Sequence, residues 1–393
     1  MQRIGIYGGT FNPPHIGHVQ AATQAYQALG LQKLLLIPDS IAPHKILPEG
    51  TPTPEQRCEM IRLAAEDCPG LEISDLELQR PGISYTCETV AQLRQEYPED
   101  QLCLIVGSDM FLSFETWKNY ESLLKTVTLA VLCRGNRGEK EKIQVQKANL
   151  EAQGGRIQVI DNVITDISST QVRRLLAFGC RDAFLCPKVA QYIEDHGLYQ
   201  VHRDFKNLSM EDLENAAEGL MKPKRFHHAK GVRDTAIALA ERWGENIVDA
   251  GRAGMLHDIT KALDGPLQLT LCGAYDKMLD DFSMENPKTL HAYTGAIVAR
   301  DIFGENPEVV SAIRCHTTGK TNMNLLETIL YVADYMEPGR DFPGVEKLRE
   351  LAFTDLYGAL KLGMEMTLDH LKEQGSTISP ATKEALDWLN IHL

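Results

Sequence analysis

The feature that most constrains this chain of 393 residues is a change of hydrophobic period near residue 200. Before it, short apolar runs alternate with longer stretches of helical period. IGIY (4–7), KLLLIP (33–38), LEIS (71–74), LCLIVG (102–107), TLAVLCR (128–134) and RIQVI (156–160) read as strands. The stretches 17–29, 54–67, 84–96, 139–152, 168–178 and 187–196 read as helices, with Pro54 opening the second. Strands separated by helices predict a parallel sheet, with ligands gathered at the carboxyl ends of its strands. After HGLY (196–199) no strand series continues. The stretches 209–221, 228–243, 246–263, 288–303, 306–317, 323–336 and 344–373 carry the helical period, punctuated by Pro and Gly. The expected fold is an α/β domain over 1–200 followed by an all-α domain over 205–393, joined through the polar segment QVHRDFKN.

Composition narrows the chemistry. The formal net charge of −14 argues against a general polyanion partner, so no nucleic acid is expected. No apolar run approaches the ~20 residues of a membrane span. A strand and a turn, rather than a leader, follow Met1. The nine cysteines form no C-x-x-C pair, which suits reduced thiols in the cytoplasm rather than a disulfide frame or a thiolate zinc site. Small phosphorylated ligands stay open, because glycine turns, Lys and Arg hold them locally.

GGTFNPPHIGH (8–18) follows a strand and opens a helix. Gly8 and Gly9 let the backbone approach a ligand closely, and amides at the helix N-terminus offer an anion site. His15 and His18, with Gly17 clearing space, can donate to phosphate oxygens, which suits phosphoryl-type transfer. Four further runs follow in order: PHK (43–45), SYT (84–86), GSDMFLSFETW (107–117) and ISSTQVR (167–173). Together they resemble the nucleotidyltransferase superfamily with its [HT]-x-G-H signature, and more specifically the bacterial nicotinate-mononucleotide adenylyltransferases.

That resemblance implies a Rossmann-like domain in which the nicotinate nucleotide's phosphate attacks the α-phosphorus of ATP. Mg2+ accompanies ATP, pyrophosphate leaves, and no covalent enzyme intermediate forms. It implies catalytic roles for His15, His18, Lys45 and Arg173. Ser168, Ser169 and Thr170 read as a helix cap and first turn which, with Arg173, suits the β- and γ-phosphates. The ATP site would also include Gly8, Gly9, Thr10, Phe11, Gly107 and Asp109, the last suited to a ribose hydroxyl or the adenine side. Asn12, Lys45, Thr86, Trp117 and Arg134 would take the nicotinate nucleotide. Trp117 would stack on the pyridine ring, Thr86 would receive the carboxylate, and Arg134 would add positive charge. Two positions depart from the family: Lys118 stands where Tyr is common, and Arg134-Gly135-Asn136 where Arg-Pro-Gly is common.

Eight of the twelve histidines lie beyond residue 200. His228, the doublet His257-Asp258, His291, His316 and Asp334 fall in apolar helical patterns, where ionisable groups are costly unless paired. The doublet is expected to put two ligands side by side on one helix. Metal sites in all-α proteins draw ligands from inward faces of several helices. A set of four His and two Asp suits iron, manganese or zinc, and two close ions clamp both ends of a phosphoryl displacement.

RFHHAKGV (225–232), LHDITK (256–261), CHTTG (315–319) and ADYMEPGRDFPGVEKLRE (333–350) resemble the HD-domain phosphohydrolases, most nearly the symmetrical dinucleoside-tetraphosphate hydrolases of the YqeK type. The resemblance implies a di-iron centre on His228, His257, Asp258, His291, His316 and Asp334, with manganese or zinc as alternatives. It implies cleavage of diadenosine tetraphosphate into two ADP, with catalytic roles for Asp258 and Lys261. Lys261, four residues after His257, is expected on nearly the same helix face, where it would meet phosphate, as would Arg340. His227 is not among these residues, because the matched run uses the second histidine. Ala292-Tyr293 stands where the family usually has Gly-Pro.

The expected protein is a bifunctional cytoplasmic enzyme of NAD biosynthesis. Its partners are ATP, nicotinate mononucleotide and diadenosine tetraphosphate, with no membrane and with a homo-oligomer left open. Two alternatives stand for the second half: another nucleotide phosphoester as substrate, or a regulatory nucleotide-binding module. The full ligand set and Lys261 argue against the module.

Overall fold

A computed structural model describes residues 2–41, 47–48, 50–80, 82–133, 138–163, 165, 167–180, 184–200, 204–275, 286 and 289–393. Two units partition the chain, Met1–His202 and Arg203–Leu393.

In the first unit, β1 (Arg3–Gly9), β2 (Lys33–Pro38), β3 (Leu71–Ile73), β4 (Gln101–Gly107), β5 (Thr128–Leu132) and β6 (Arg156–Ile160) form one sheet in the order β3-β2-β1-β4-β5-β6. Each of the five strand pairings is parallel, as the alternating pattern predicts. The pleat sends successive side chains to opposite faces, so a strand buried on both reads as an unbroken apolar run. In β4, Leu102, Leu104 and Val106 enter one core while Cys103 and Ile105 enter the other. The connecting helices are α1 (Ile16–Leu29), α2 (Pro54–Ala65), α3 (Thr86–Glu96), α4 (Ser108–Leu112), α5 (Tyr120–Thr126), α6 (Glu139–Ala152), α7 (Ser169–Ala177) and α8 (Pro187–Asp195). The strand order reverses between β1 and β4, and ligand crevices of open parallel sheets lie beyond the carboxyl ends at such a point. GGTFN leaves β1 there, and Gly107-Ser108-Asp109 leaves β4 there.

The second unit is helical: α9 (Met210–Leu220), α10 (Pro223–Trp243), α11 (Ile247–Leu256), α12 (Gly265–Ala274), α13 (Leu290–Asp301), α14 (Pro307–Cys315), α15 (Leu325–Met336), α16 (Val345–Ala352), α17 (Leu356–Glu373) and α18 (Pro380–His392). Three expectations are corrected. The single helix over 246–263 ends at Leu256, and the chain continues in tight turns with Ile259 N–H donating to Leu256 O and Lys261 N–H to Asp258 O. The single helix over 344–373 breaks between α16 and α17, where the Asp355 side chain accepts from Gly358 N–H and caps a new start. Helices α12 and α18 have no counterpart in the sequence reading. Among the described residues, no helix is long and apolar enough to cross a membrane.

Candidate functional site

Each unit gathers its own set of polar side chains. In the first, His15 caps α1 and His18 lies in its first turn, with the two rings stacked at 3.7 Å between centroids. The His15 backbone N–H donates to His18 Nδ1 at 3.2 Å. An amide only donates, so Nδ1 is the acceptor of that ring and Nε2 carries the proton. Gly17 leaves room for this arrangement: a Cβ there would stand 3.1 Å from His15 Nδ1 and 3.2 Å from Ile167. Ser168 caps α7 by accepting from Gln171 N–H, and the helix start meets the glycine-rich loop. Ser169 Oγ donates to Pro13 O at 2.9 Å, Arg173 Nη1 to Asn12 O at 2.6 Å, and Arg173 Nη2 to Thr170 Oγ1 at 3.1 Å. Asn12, His15, His18, Ser169, Thr170 and Arg173 are thus brought together at the carboxyl end of β1.

The remaining candidates fall into two groups. Lys118 Nζ donates to Glu88 Oε1 at 2.9 Å and lies 3.9 Å from the centre of the Tyr85 ring. It ties the segment of Trp117 to the first turn of α3, which begins at Thr86. Trp117 is half-buried and packs on Phe114 at 5.3 Å. Asp109 is exposed in α4. Lys45 and Arg134 lie outside the described residues.

Two residues beneath the loop escaped the sequence reading. Arg57, on α2 and fully buried, donates to Thr10 O at 2.6 Å and to Asp39 O at 2.7 Å, and pairs with Asp39 Oδ1 at 3.3 Å. Thr10 Oγ1 donates to Asp39 Oδ2 at 2.7 Å. An arginine in the helix PEQRCEMIRLAA looks like any solvated charge, so only the fold reveals its partners.

In the second unit, His228 comes from α10, His257 and Asp258 from the end of α11, His291 from α13, His316 from the end of α14 and Asp334 from α15. Neighbouring residues on one helix diverge by about 100°. His257 is the C-cap of α11, and the turns beyond it let the doublet converge; the expectation of two ligands on one helix, with Lys261 on the same face, is corrected accordingly. His228 Nε2 lies 3.0 Å from Asp334 Oδ1, 3.3 Å from His257 Nε2 and 3.8 Å from Asp258 Oδ2. The other oxygen, Asp258 Oδ1, lies 3.1 Å from His291 Nε2 and 3.7 Å from His316 Nε2. One carboxylate therefore stands between two groups of donors. His227 is exposed.

Ring orientation is fixed from behind. Nδ1 donates to Gly254 O at 2.7 Å in His257, to Ile313 O at 2.6 Å in His316, and to Glu337 Oε1 at 3.0 Å in His228. Carbonyl and carboxylate oxygens only accept, so Nδ1 carries a proton in these rings and Nε2 is the atom turned inward. Asp258 Oδ1 and His316 Nε2 are buried acceptors with no hydrogen-bond partner. Such a group costs about 1–3 kcal/mol when left unsatisfied. Burial raises the Asp258 carboxyl pKa, but the His257, His291 and His316 imidazoles outweigh it and hold the group well below the usual carboxylate range. Burial pushes the His291 imidazole down to about 4, so it is a neutral donor. Converging imidazole nitrogens and carboxylates around unsatisfied buried polar atoms fit divalent cations.

Among the described residues, Lys261, Arg340 and Arg225 border this cluster. Lys261 Nζ donates to His291 Nε2 at 2.7 Å and lies 3.4 Å from Asp258 Oδ1. Arg340 Nη2 donates to Asp334 Oδ1 at 2.6 Å. Arg225 Nη1 donates to Asp258 Oδ2 at 2.7 Å; it was missed, although it opens the run RFHHAKGV. Glu337 was also missed, although it stands in EPGR.

Fold and sites define an α/β nucleotidyltransferase-type unit followed by a helical unit of the HD kind. Residues 6–175 match the cytidylyltransferase-like family model, and 225–339 match the HD domain model. The chain is 34% identical over 212 residues to a probable nicotinate-nucleotide adenylyltransferase of Pelobacter propionicus, covering 50% of this chain and 98% of that protein. It is 38% identical over 209 residues to a protein of the same description from Aeromonas hydrophila, covering 50% and 97%. A solved structure described as a predicted HD superfamily hydrolase involved in NAD metabolism, from Clostridium acetobutylicum, is 36% identical, with a TM-score of 0.46, covering 47% of this chain and 99% of that one. Over its first half the chain belongs to the nicotinate-nucleotide adenylyltransferase family, and its second half carries an HD domain.

Proposed function

We propose that the first unit transfers AMP from ATP to nicotinate mononucleotide, giving deamido-NAD and pyrophosphate, and that the second cleaves diadenosine tetraphosphate into two ADP. For the first unit, the observation that carries the reading is the meeting of His15 and His18 with the start of α7 at the end of β1. There the Nε2 proton of His18, the Thr170 hydroxyl and the remaining N–H groups of Arg173 would meet phosphate oxygens, with Ser169 fixing the helix start to Pro13 O. The Arg173 charge and these N–H and O–H dipoles would stabilise the oxygens as they gain charge in transfer. Asn12, Thr86 and Trp117, with Lys45 and Arg134, would hold the nicotinate nucleotide. The description of the two relatives as probable nicotinate-nucleotide adenylyltransferases supports this assignment.

For the second unit, the carrying observation is the Asp258 carboxylate between two groups of donors. His228, His257 and Asp334 would hold one divalent ion, His291 and His316 the other, with Asp258 shared. Such ions supply positive charge to a phosphoryl group and raise the acidity of water. Around them, Lys261, Arg225 and Arg340 would meet the bridging phosphates, and Asp258 would orient both ion positions. Iron is the metal proposed from the resemblance, and the donor set also suits manganese and zinc.

His18→Ala should lower dinucleotide synthesis at least ~100-fold, in keeping with loss of a transition-state donor, and leave hydrolysis intact. Asp258→Ala should do the reverse. Both activities are read on one sample by chromatography of nucleotides. Loss of both from one folded variant would contradict two independent sites.

A further inference from the structure

The run RFHHAKGV and the turn EPGR each carry a glycine that the proposed reactions do not use, Gly231 and Gly339. Both face one carboxylate. A Cβ on Gly231 would stand 2.5 Å from Glu337 Oε2, and one on Gly339 would stand 3.0 Å from both Glu337 oxygens. Glycines on two separate elements thus shape a slot for this side chain. Glu337 is the C-cap of α15, three residues after Asp334, and it is buried. Within the slot both oxygens are engaged: Oε1 accepts from His228 Nδ1 at 3.0 Å, and Oε2 from Gly339 N–H at 2.6 Å. Arg349 braces the same turn by donating to the main-chain oxygens of Met336, Glu337 and Arg340.

His228 differs from its neighbours in this partner. Behind His257 and His316 stands a neutral carbonyl; behind His228 stands a carboxylate. A carboxylate on Nδ1–H fixes the tautomer and makes Nε2 a stronger base toward a cation.

We infer that Glu337 is a positioning residue: seated in the Gly231–Gly339 slot, it orients and polarises His228 and so sets the affinity of the ion position shared by His228, His257 and Asp334. The inference rests on the dinuclear reading above. It is tested with Mn2+ alone, titrated into the metal-stripped full chain and followed by electron paramagnetic resonance of the free ion. The wild-type chain should take up two ions. Glu337→Gln keeps the shape and an acceptor but removes the charge. It should weaken one of the two ions by about 10–100-fold and spare the other and adenylyl transfer. Gly231→Ala crowds the slot without removing the charge, and should weaken the same ion. In the metal-free wild-type chain, imidazole nitrogen spectra should find His228 protonated at Nδ1, a readout that needs no variant to fold. Two ions at wild-type affinity in a folded variant, or a His228 ring protonated at Nε2 alone, would overturn the inference. A wild-type chain that takes up no Mn2+ would overturn the dinuclear reading instead.

Discussion

Asp258 shows what a residue type does and does not disclose. Its identity and its place beside His257 were legible, because a carboxylate in an apolar pattern demands a partner. Its two oxygens facing different histidines were not legible, since His291 and His316 are 33 and 58 residues further along the chain. Arg225, Glu337 and Arg57 were missed for the same reason: each is recognised by a partner distant in sequence. Cysteine behaviour follows from burial at this scale. Burial pushes the Cys315 thiol up to about 12, and raises those of Cys103 and Cys272. Thiolate is the reactive form, so these three should resist iodoacetamide at pH 8 in the folded chain and react on denaturation. Mass spectrometry of the labelled peptides checks this; rapid labelling of native Cys315 would contradict its placement.

The elements that carry the sites were read well where punctuation is local and poorly where it is not. Thr53-Pro54 marks the start of α2, and its cap is present, with the Thr53 side chain accepting from Gln56 N–H. The stretch GMLHDITKA has neither Gly nor Pro between Gly254 and Gly265, so its helical period runs on past the real end of α11. That end is what lets the adjacent His257 and Asp258 side chains converge, so boundary and geometry escaped together. Beneath the first site, α2 supplies Arg57 to Asp39 and the Thr10 carbonyl. Arg57→Ala leaves a buried carboxylate uncompensated, and breaking a buried pair in this way costs about 3–5 kcal/mol. Denaturant unfolding should register that loss. A cost below ~1 kcal/mol would mean the pair is solvated.

Across the whole molecule, the change of period near residue 200 and the parallel pairing of the first sheet were legible, because strands separated by helices pair in parallel, whereas the strand order was not read. Two units with separate chemistries should respond separately to metal. Stripping bound metal from the full chain should lower the thermal transition of the second unit by mass action and leave that of the first. With Mg2+ restored alongside ATP, adenylyl transfer should persist. Calorimetry of the stripped and reloaded chain reads this, and a common shift of both transitions would contradict it. The most direct measurement supplies the anaerobically purified chain with ATP and nicotinate mononucleotide in one reaction and diadenosine tetraphosphate in another. Products are resolved by chromatography and metal content is measured on the same sample. Deamido-NAD with pyrophosphate is expected from the first reaction and ADP alone from the second. AMP with ATP from the tetraphosphate would contradict the cleavage position, and no turnover by a metal-loaded chain would contradict the substrate.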